Sequence, residues 1–77
     1  MAYLGWYDPD RKKPAREKLR DAMHRFEEKF GEPAQFCLTS PQDAEELAKR
    51  GIEGATVQVH PRTYIARYTF YVGQEGA

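Results

Sequence analysis

The chain has 77 residues, and its twelve basic and twelve acidic side chains cancel to a formal net charge of zero at neutral pH. That length supports one small domain over residues 1–77, and the zero total gives no overall attraction to nucleic acid or to anionic membranes. The single cysteine, Cys37, excludes an internal disulfide. Because the sequence also shows no signal-peptide pattern and no apolar run long enough to span a membrane, we expect a cytoplasmic protein.

The first part of the chain predicts a strand followed by a helix. The run from Ala2 to Tyr7 is rich in aromatic residues, which favour strands, and the Asp-Pro-Asp segment after it breaks the pattern. A helix is expected from Pro14 to Phe30, because proline suits a first-turn position and Gly31 suits the position just beyond the end. Its apolar stripe consists of Leu19, Met23, Phe26 and Phe30, at spacings of three and four residues.

The middle of the chain predicts a second strand and a second helix. The strand runs from Gln35 to Thr39. Ser40 then begins a capping box, in which its hydroxyl accepts a hydrogen bond from an exposed amide and Asp43 reaches back to the start of the helix. We expect this helix to end near Arg50, with Gly51 as its cap.

The last part of the chain predicts two strands joined as a hairpin. The first runs from Thr56 to His60, and the second is the alternating run from Tyr64 to Val72. Pairing Val59 with Tyr64 keeps the apolar faces together, so this register is predicted. Residues 73–77 have nothing to bury and are expected to fray. The expected core face of the last strand is Tyr64, Ala66, Tyr68, Phe70 and Val72.

These elements follow in the order β-α-β-α-β-β and predict a single small two-layer domain of the α+β or α/β class. Each helix is apolar on one side only, so we expect both helices to cover one face of a mixed sheet of three to four strands. If the second helix connects parallel strands, the crossover should be right-handed.

The sequence carries no local pattern typical of an active site. No catalytic residue, metal ligand or cofactor is predicted, because the glycines occur singly and the Cys and His residues lack zinc-type spacing. A non-enzymatic protein is therefore favoured. A small enzyme that pairs Cys37 with His24 or His60 is the third alternative, since such partners meet in space rather than in sequence.

The favoured function is a protein-interaction module, whose partner is another protein or a second copy of the chain in a homodimer. One face of the predicted sheet stays free of helices, so its apolar side chains would be exposed unless a partner covers them. An unpaired edge strand offers another route to a homodimer. Arginine and tyrosine favour interface centres. The predicted protein-binding residues on the outer face are Gln58, Ile65, Arg67, Thr69 and Tyr71.

A basic cluster at the start of the first helix predicts the main alternative, a nucleic-acid-binding protein. Between Arg11 and Arg20 six basic side chains stand against Glu17 alone, a local charge of +5. Cations at this end oppose the helix dipole, which indicates a reason beyond stability. Pairing of the cluster with Glu17 or Asp21 would instead make it an ordinary solvated face. The candidate phosphate-contacting residues are Arg11, Lys12, Lys13 and Arg16.

Overall fold

The computed structural model of the protein describes residues 2–50 and 57–75. Its elements follow the order β-α-β-α-β-β, which confirms the predicted order of strands and helices. The elements are strand β1 (Ala2–Tyr7), helix α1 (Ala15–Phe30), strand β2 (Phe36–Thr39), helix α2 (Pro41–Arg50), strand β3 (Gln58–Pro61) and strand β4 (Thr69–Gln74).

The four strands form one mixed sheet with the spatial order β1-β4-β2-β3. Strand β4 pairs antiparallel with β1 on one side and with β2 on the other. Strands β2 and β3 run parallel, as expected for two strands joined through a helix. The last strand of the chain is therefore an interior strand, and β1 and β3 are the edges of the described sheet.

Both helices pack on one face of the sheet, which confirms the predicted two-layer α+β architecture. Helix α1 lies against β1 and β4, and α2 lies against β3 and α1. The shared core is built mainly from α1, Leu47 of α2 and alternate residues of the interior strands. Of the predicted α1 stripe, Leu19 and Phe26 are buried and Met23 is partly buried, but Phe30 was wrongly assigned to it, because this last residue of the helix is 39% exposed. Its fully buried apolar side chains are Leu19, Ala22, Phe26, Cys37, Phe70 and Val72.

Helix α1 begins and ends where the proline and glycine signals place it. Pro14 is the residue before the first helical turn, and the carbonyl of Pro14 accepts bonds from the amides of Glu17 and Lys18. Gly31 has a left-handed φ of 76°, and its amide donates to the Glu27 carbonyl at 2.8 Å. A glycine adopts this conformation without steric cost, so it closes the helix end.

The run from Tyr64 to Val72 is not one strand, so this part of the prediction was wrong. Strand β4 begins only at Thr69, and the preceding residues make turns in which Ile65 donates to the Arg62 carbonyl at 3.1 Å. Tyr68 has a left-handed φ of 69°, which is incompatible with a continuous strand. The predicted pairing of Val59 with Tyr64 is replaced by the parallel pairing of Val59 with Cys37.

The expected core face of the last strand is correct only at its carboxyl-terminal end. Phe70 and Val72 are fully buried, as predicted. Tyr64, by contrast, is 77% exposed, Ala66 is exposed and Tyr68 is half-buried, because all three lie in the connection before β4.

The carboxyl-terminal end of the chain also differs from the prediction. Gly73 and Gln74 belong to β4 rather than to a frayed tail, and Gly73 pairs with both Tyr3 and Phe36. Residues 76–77 lie outside the described residues. The expected helix cap at Gly51 and the start of a strand at Thr56 also lie outside them.

The amino terminus of α2 is held by a buried cluster around Asp43, whose side chain is 2% exposed. The Ser40 hydroxyl accepts a bond from the Asp43 amide at 3.1 Å, which confirms that half of the capping box. The Asp43 carboxylate does not cap the helix as predicted. It accepts bonds at 2.7 Å from the Ser40 hydroxyl and from the amide of Tyr68, and so joins α2 to the turn before β4.

The variant Asp43→Ala tests this connection. It should lower the free energy of unfolding by about 2–4 kcal/mol, because the half-buried Tyr68 amide and the buried Ser40 hydroxyl lose their acceptor. Urea denaturation measures the loss. The matched control is Glu45→Ala on the exposed side of α2, which should change stability by about 0.5 kcal/mol or less. Equal losses in the two variants would contradict the assigned role of Asp43.

Candidate functional site

The sheet has one face without helices, here called the outer face. Side chains alternate along each strand, so the neighbours of core residues on β1, β4, β2 and β3 point outward. The paired registers place these outward residues side by side across the sheet. The outer face consists of Tyr3, Gly5, Tyr7, Phe36, Leu38, Gln58, His60, Thr69, Tyr71 and Gly73.

Aromatic rings cover the centre of the outer face, and two glycines make room for them. The rings of Tyr3 and Phe36 meet edge to face, with their centroids 5.3 Å apart. A Cβ atom built at Gly5 would lie 3.2 Å from the Tyr71 ring, and one at Gly73 would lie 2.9 Å from the Phe36 ring. Each ring therefore lies over the backbone of a glycine; a side chain at Gly73 would force a shift, whereas one at Gly5 would make a tight contact.

The outer face remains substantially exposed and carries little charge. The exposed fractions are 44% for Tyr3, 65% for Tyr7 and 41% for Tyr71. A groove of about 720 Å³ runs beside Tyr3 and Phe36, and its one basic lining residue besides His60 is Arg62 at the margin. Tyrosine enrichment combined with depletion of charged side chains is typical of the centres of protein interfaces.

The structure brings three of the five predicted protein-binding residues to this face. Gln58, Thr69 and Tyr71 lie on it, in the paired strands β3 and β4. Ile65 is wrongly placed by the prediction, because it is 7% exposed and lies in the turn before β4. Arg67 is also misplaced, since its guanidinium faces Asp43 and Glu46 at 3.5 Å rather than the sheet.

The prediction missed the largest contributors to the outer face, Tyr3, Tyr7, Phe36 and Leu38. The alternation of side chains along β1 and β2 could have indicated that these residues share a face, because they alternate with Leu4, Trp6 and Cys37. The alternation alone does not say which set faces the helices, because both sets are apolar. The spatial order of the strands decides it.

Strand β1 is an edge strand, and half of its backbone points away from the sheet. The Asp8 amide donates to the Tyr68 carbonyl at 3.1 Å, in register with the pairing of Tyr7 and Thr69. Hydrogen-bonded and non-hydrogen-bonded pairs alternate in an antiparallel ladder. The amides and carbonyls of Tyr3, Gly5 and Tyr7 therefore point outward, and no other described strand pairs with them.

A second candidate site lies between the start of α1, helix α2 and the turn before β4, and is here called the basic pocket. It is a cavity of about 250 Å³ whose floor includes Lys18 and Tyr68. Lys18 is 1% exposed, and its ammonium has no hydrogen-bond partner among the described residues. The ammonium lies 3.8 Å from the centroid of the Tyr68 ring. The charged residues that line the pocket are Arg11, Lys12, Lys13, Lys18, Arg50, Arg67, Asp43 and Glu46.

A buried lysine without a hydrogen-bond acceptor is costly to the fold. Removing an ammonium from water costs several kcal/mol after the protein relaxes around it. Its attraction to the Tyr68 ring offsets about 2 kcal/mol of this when the pair is desolvated. The three N–H donors of Lys18 are left without an acceptor in the described residues.

The structure divides the predicted nucleic-acid-binding cluster into paired and unpaired side chains. Lys13 bonds to the carboxylate of Asp21 and lies 3.8 Å from that of Asp8. The hydrogen bond to Asp21, followed by the charges of nearby carboxylates, raises the pKa of Lys13 above its usual value, so this amine stays charged. Arg11, Lys12 and Arg16 are exposed and make no ion pair with the described residues.

The structure separates the residues of the alternative Cys/His enzyme. Cys37 is fully buried on the helix-covered face, whereas His60 lies on the outer face and His24 is exposed on α1. Burial, with a smaller effect from the charge of Asp43, raises the pKa of Cys37 from its ordinary value of 9.0 to about 12. At neutral pH the thiol is protonated, and thiolates are the nucleophilic form.

Residues 2–50 and 57–75 contain neither a metal-binding cluster nor a membrane-spanning helix. No group of three or more His, Cys, Asp or Glu side chains within those ranges is arranged to hold a metal ion. Neither described helix is long and apolar enough to cross a bilayer.

Comparison with known proteins assigns no role to either candidate site. No protein-family model, curated protein or solved structure matches this chain. The outer face with its β1 edge and the basic pocket are therefore judged by their own contacts, exposure and charge.

The reactivity of Cys37 tests the geometry of the buried thiol. Reaction with a chromogenic disulfide at pH 8 should be at least about a hundredfold slower in the folded protein than in urea, because burial disfavours the thiolate. Since the folded pKa lies above 9.0, the neutral thiol stabilises the fold fully below about pH 9 and progressively less as the pH rises towards 12. Equal rates in folded and unfolded protein would contradict this burial, and a small free thiol serves as the control.

Proposed function

We propose that the protein is a non-enzymatic interaction module that pairs with a second copy of itself through the edge of β1. The observation that carries the proposal is the free edge of this six-residue strand, whose outward amides and carbonyls have no partner in the described sheet. Unpaired edges pair readily with another chain, and a two-fold axis satisfies both copies at once.

The composition of β1 supports pairing rather than protection of the edge. Proteins commonly block exposed edges with lysine, proline, a bulge or a very short strand. Strand β1 contains no charged residue and no proline. The opposite edge, β3, is only four residues long and ends at Pro61, which has no amide hydrogen to donate.

The pattern of outward groups specifies a register for the dimer. An antiparallel pair centred on Gly5 uses all the outward residues, because Tyr3 then lies opposite Tyr7 of the second copy. Each such pair exchanges two hydrogen bonds. The two sheets join into one continuous sheet, and the Tyr3 and Tyr7 rings form cross-strand aromatic pairs on the outer face.

The helix-covered side of the edge is compatible with the same register. Leu4 and Trp6 alternate with the outward backbone residues and are only partly buried in one copy. In the Gly5-centred pair Leu4 lies opposite Trp6 of the second copy. Both sides of the new ladder therefore bury apolar surface, which favours association.

The variant Tyr7→Lys tests the dimer. It places a charge on the edge and removes an aromatic partner, so it should weaken self-association by at least about tenfold, which is about 1.4 kcal/mol. Sedimentation equilibrium over a range of protein concentrations measures the effect. The matched control is Tyr64→Lys, which makes the same exchange at an exposed residue of the connection between β3 and β4, outside the proposed ladder, and should leave association unchanged.

A second variant, Tyr7→Pro, separates backbone pairing from side-chain contact. Proline removes one outward amide hydrogen but breaks no hydrogen bond between β1 and β4. Folding should therefore persist while the dimer weakens. Circular dichroism and the thermal midpoint check the fold. A wild-type protein that stays monomeric at the highest soluble concentration would overturn the dimer, as would equal weakening by Tyr7→Lys and Tyr64→Lys.

Binding of nucleic acid is the second candidate function. It is favoured by the exposed, unpaired side chains of Arg11, Lys12 and Arg16 at one end of α1. Their positions near the start of the helix suit contacts to a phosphate backbone.

This candidate predicts a strong dependence of affinity on salt. The double variant Lys12→Gln, Arg16→Gln should reduce the slope of log affinity against log salt by about 0.7–0.9 for each phosphate contact removed. Fluorescence anisotropy with a labelled oligonucleotide measures the slope. Lys29→Gln, at the opposite end of α1, is the control and should leave it unchanged. No binding to single- or double-stranded oligonucleotides at low salt would remove this candidate.

A further inference from the structure

We propose that the basic pocket is a binding site for one phosphoryl group carried by a small phosphorylated molecule. The site is formed by the start of α1 and the residues before it, by one side of α2 and by the turn at Tyr68. It lies outside the β1 edge, so it does not depend on the proposed dimer.

The buried ammonium of Lys18 is the first reason to expect a ligand here. It lies against the Tyr68 ring, which lines the same cavity, and it has no hydrogen-bond acceptor among the described residues. The ring attracts the positive charge but accepts no conventional hydrogen bond from it. An oxyanion that enters the pocket would accept hydrogen bonds from the Lys18 N–H groups, which have no acceptor among the described residues.

The charge balance of the pocket also favours an anion. Six cationic side chains line it against only two carboxylates, those of Asp43 and Glu46. Both carboxylates are already engaged, since Asp43 accepts bonds from Ser40 and Tyr68, and Glu46 accepts one from the Ala15 amide. Lys13 is also paired with the carboxylates of Asp21 and Asp8, so six cations against these four carboxylates leave a net charge of +2, which matches the two negative charges of a phosphate monoester.

The position of the pocket at the start of α1 strengthens the attraction. Pro14 and Ala15, at the start of this 16-residue helix, line the cavity, and the positive end of a helix dipole favours an anion. The Ala15 amide already donates to a carboxylate oxygen of Glu46 at 2.6 Å. The Glu46 carboxylate thus already binds at this helix terminus, and Lys18 lies one turn further along the same helix.

The size of the cavity limits the ligand. A volume of about 250 Å³ is suited to one phosphoryl group with a small organic remainder. A nucleic-acid strand is bound along an extended groove that follows its backbone. Arg67 also lines the cavity, with its guanidinium 5.1 Å from the Tyr68 ring and paired with Asp43 and Glu46.

Titration with inorganic phosphate at constant ionic strength tests the site. In ¹H–¹⁵N correlation spectra, the amides of Lys18 and Tyr68 should shift saturably, with sodium chloride alone as the reference. The affinity should fall by about tenfold or more in Lys18→Met, which keeps the apolar stem and removes the charge. The matched control is Lys49→Met, whose amine is exposed and pairs with Glu45 at 3.1 Å, and its affinity should match the wild type.

A second variant guards against misfolding of Lys18→Met. Lys12→Gln changes an exposed residue at the pocket margin and should weaken phosphate binding while leaving the thermal midpoint unchanged. A small phosphate monoester should compete with inorganic phosphate, and its dephosphorylated form should not. The proposal is overturned if phosphate causes no saturable shift, or if Lys12→Gln and Lys49→Met bind it equally well. It is also overturned if only oligonucleotides bind.

Discussion

The contact between the Asp43 carboxylate and the Tyr68 amide is the interaction on which the rest of the structure depends. It fixes the start of α2 to the turn that precedes β4, and that turn holds Tyr68 at a left-handed φ of 69°. From there β4 enters the sheet between β1 and β2 and supplies Phe70 and Val72 to the core. A buried carboxylate is stable only when its acceptors are satisfied, so the bonds from Ser40 and Tyr68 are needed for the fold.

The interior position of β4 determines both surfaces proposed to have a function. It leaves β1 at an edge with its outward backbone free, and it lays the Tyr71 and Phe36 rings over Gly5 and Gly73 on the outer face. The Tyr68 turn at its amino-terminal end forms a wall of the basic pocket. One chain segment therefore shapes both the β1 edge and the basic pocket, at different places on a small domain.

Much of the fold follows from local signals in the sequence. Pro14 and Gly31 bound α1, Ser40 begins α2, and spacings of three and four residues identify the stripe that contains Leu19 and Phe26. The candidate sites were harder to predict. Gln58, Thr69 and Tyr71 were correctly assigned to the outer face, whereas Tyr3 and Phe36 were not, because both faces of their strands are apolar. Nothing in the sequence indicates that Lys18 is buried, because the neighbouring positions of the helix are rich in charged residues.

The sequence by itself determined the order of the elements, the bounds of α1 and the start of α2, because capping and periodicity act within one turn of a helix. Only the tertiary structure decided where the last strand begins and which strands are its neighbours. The alternation from Tyr64 to Val72 is uninterrupted in sequence, yet Arg67 and Tyr68 are drawn to Asp43, 24 and 25 positions earlier in the chain. Such contacts depend on loop closure and on burial of charge, which a local pattern does not encode.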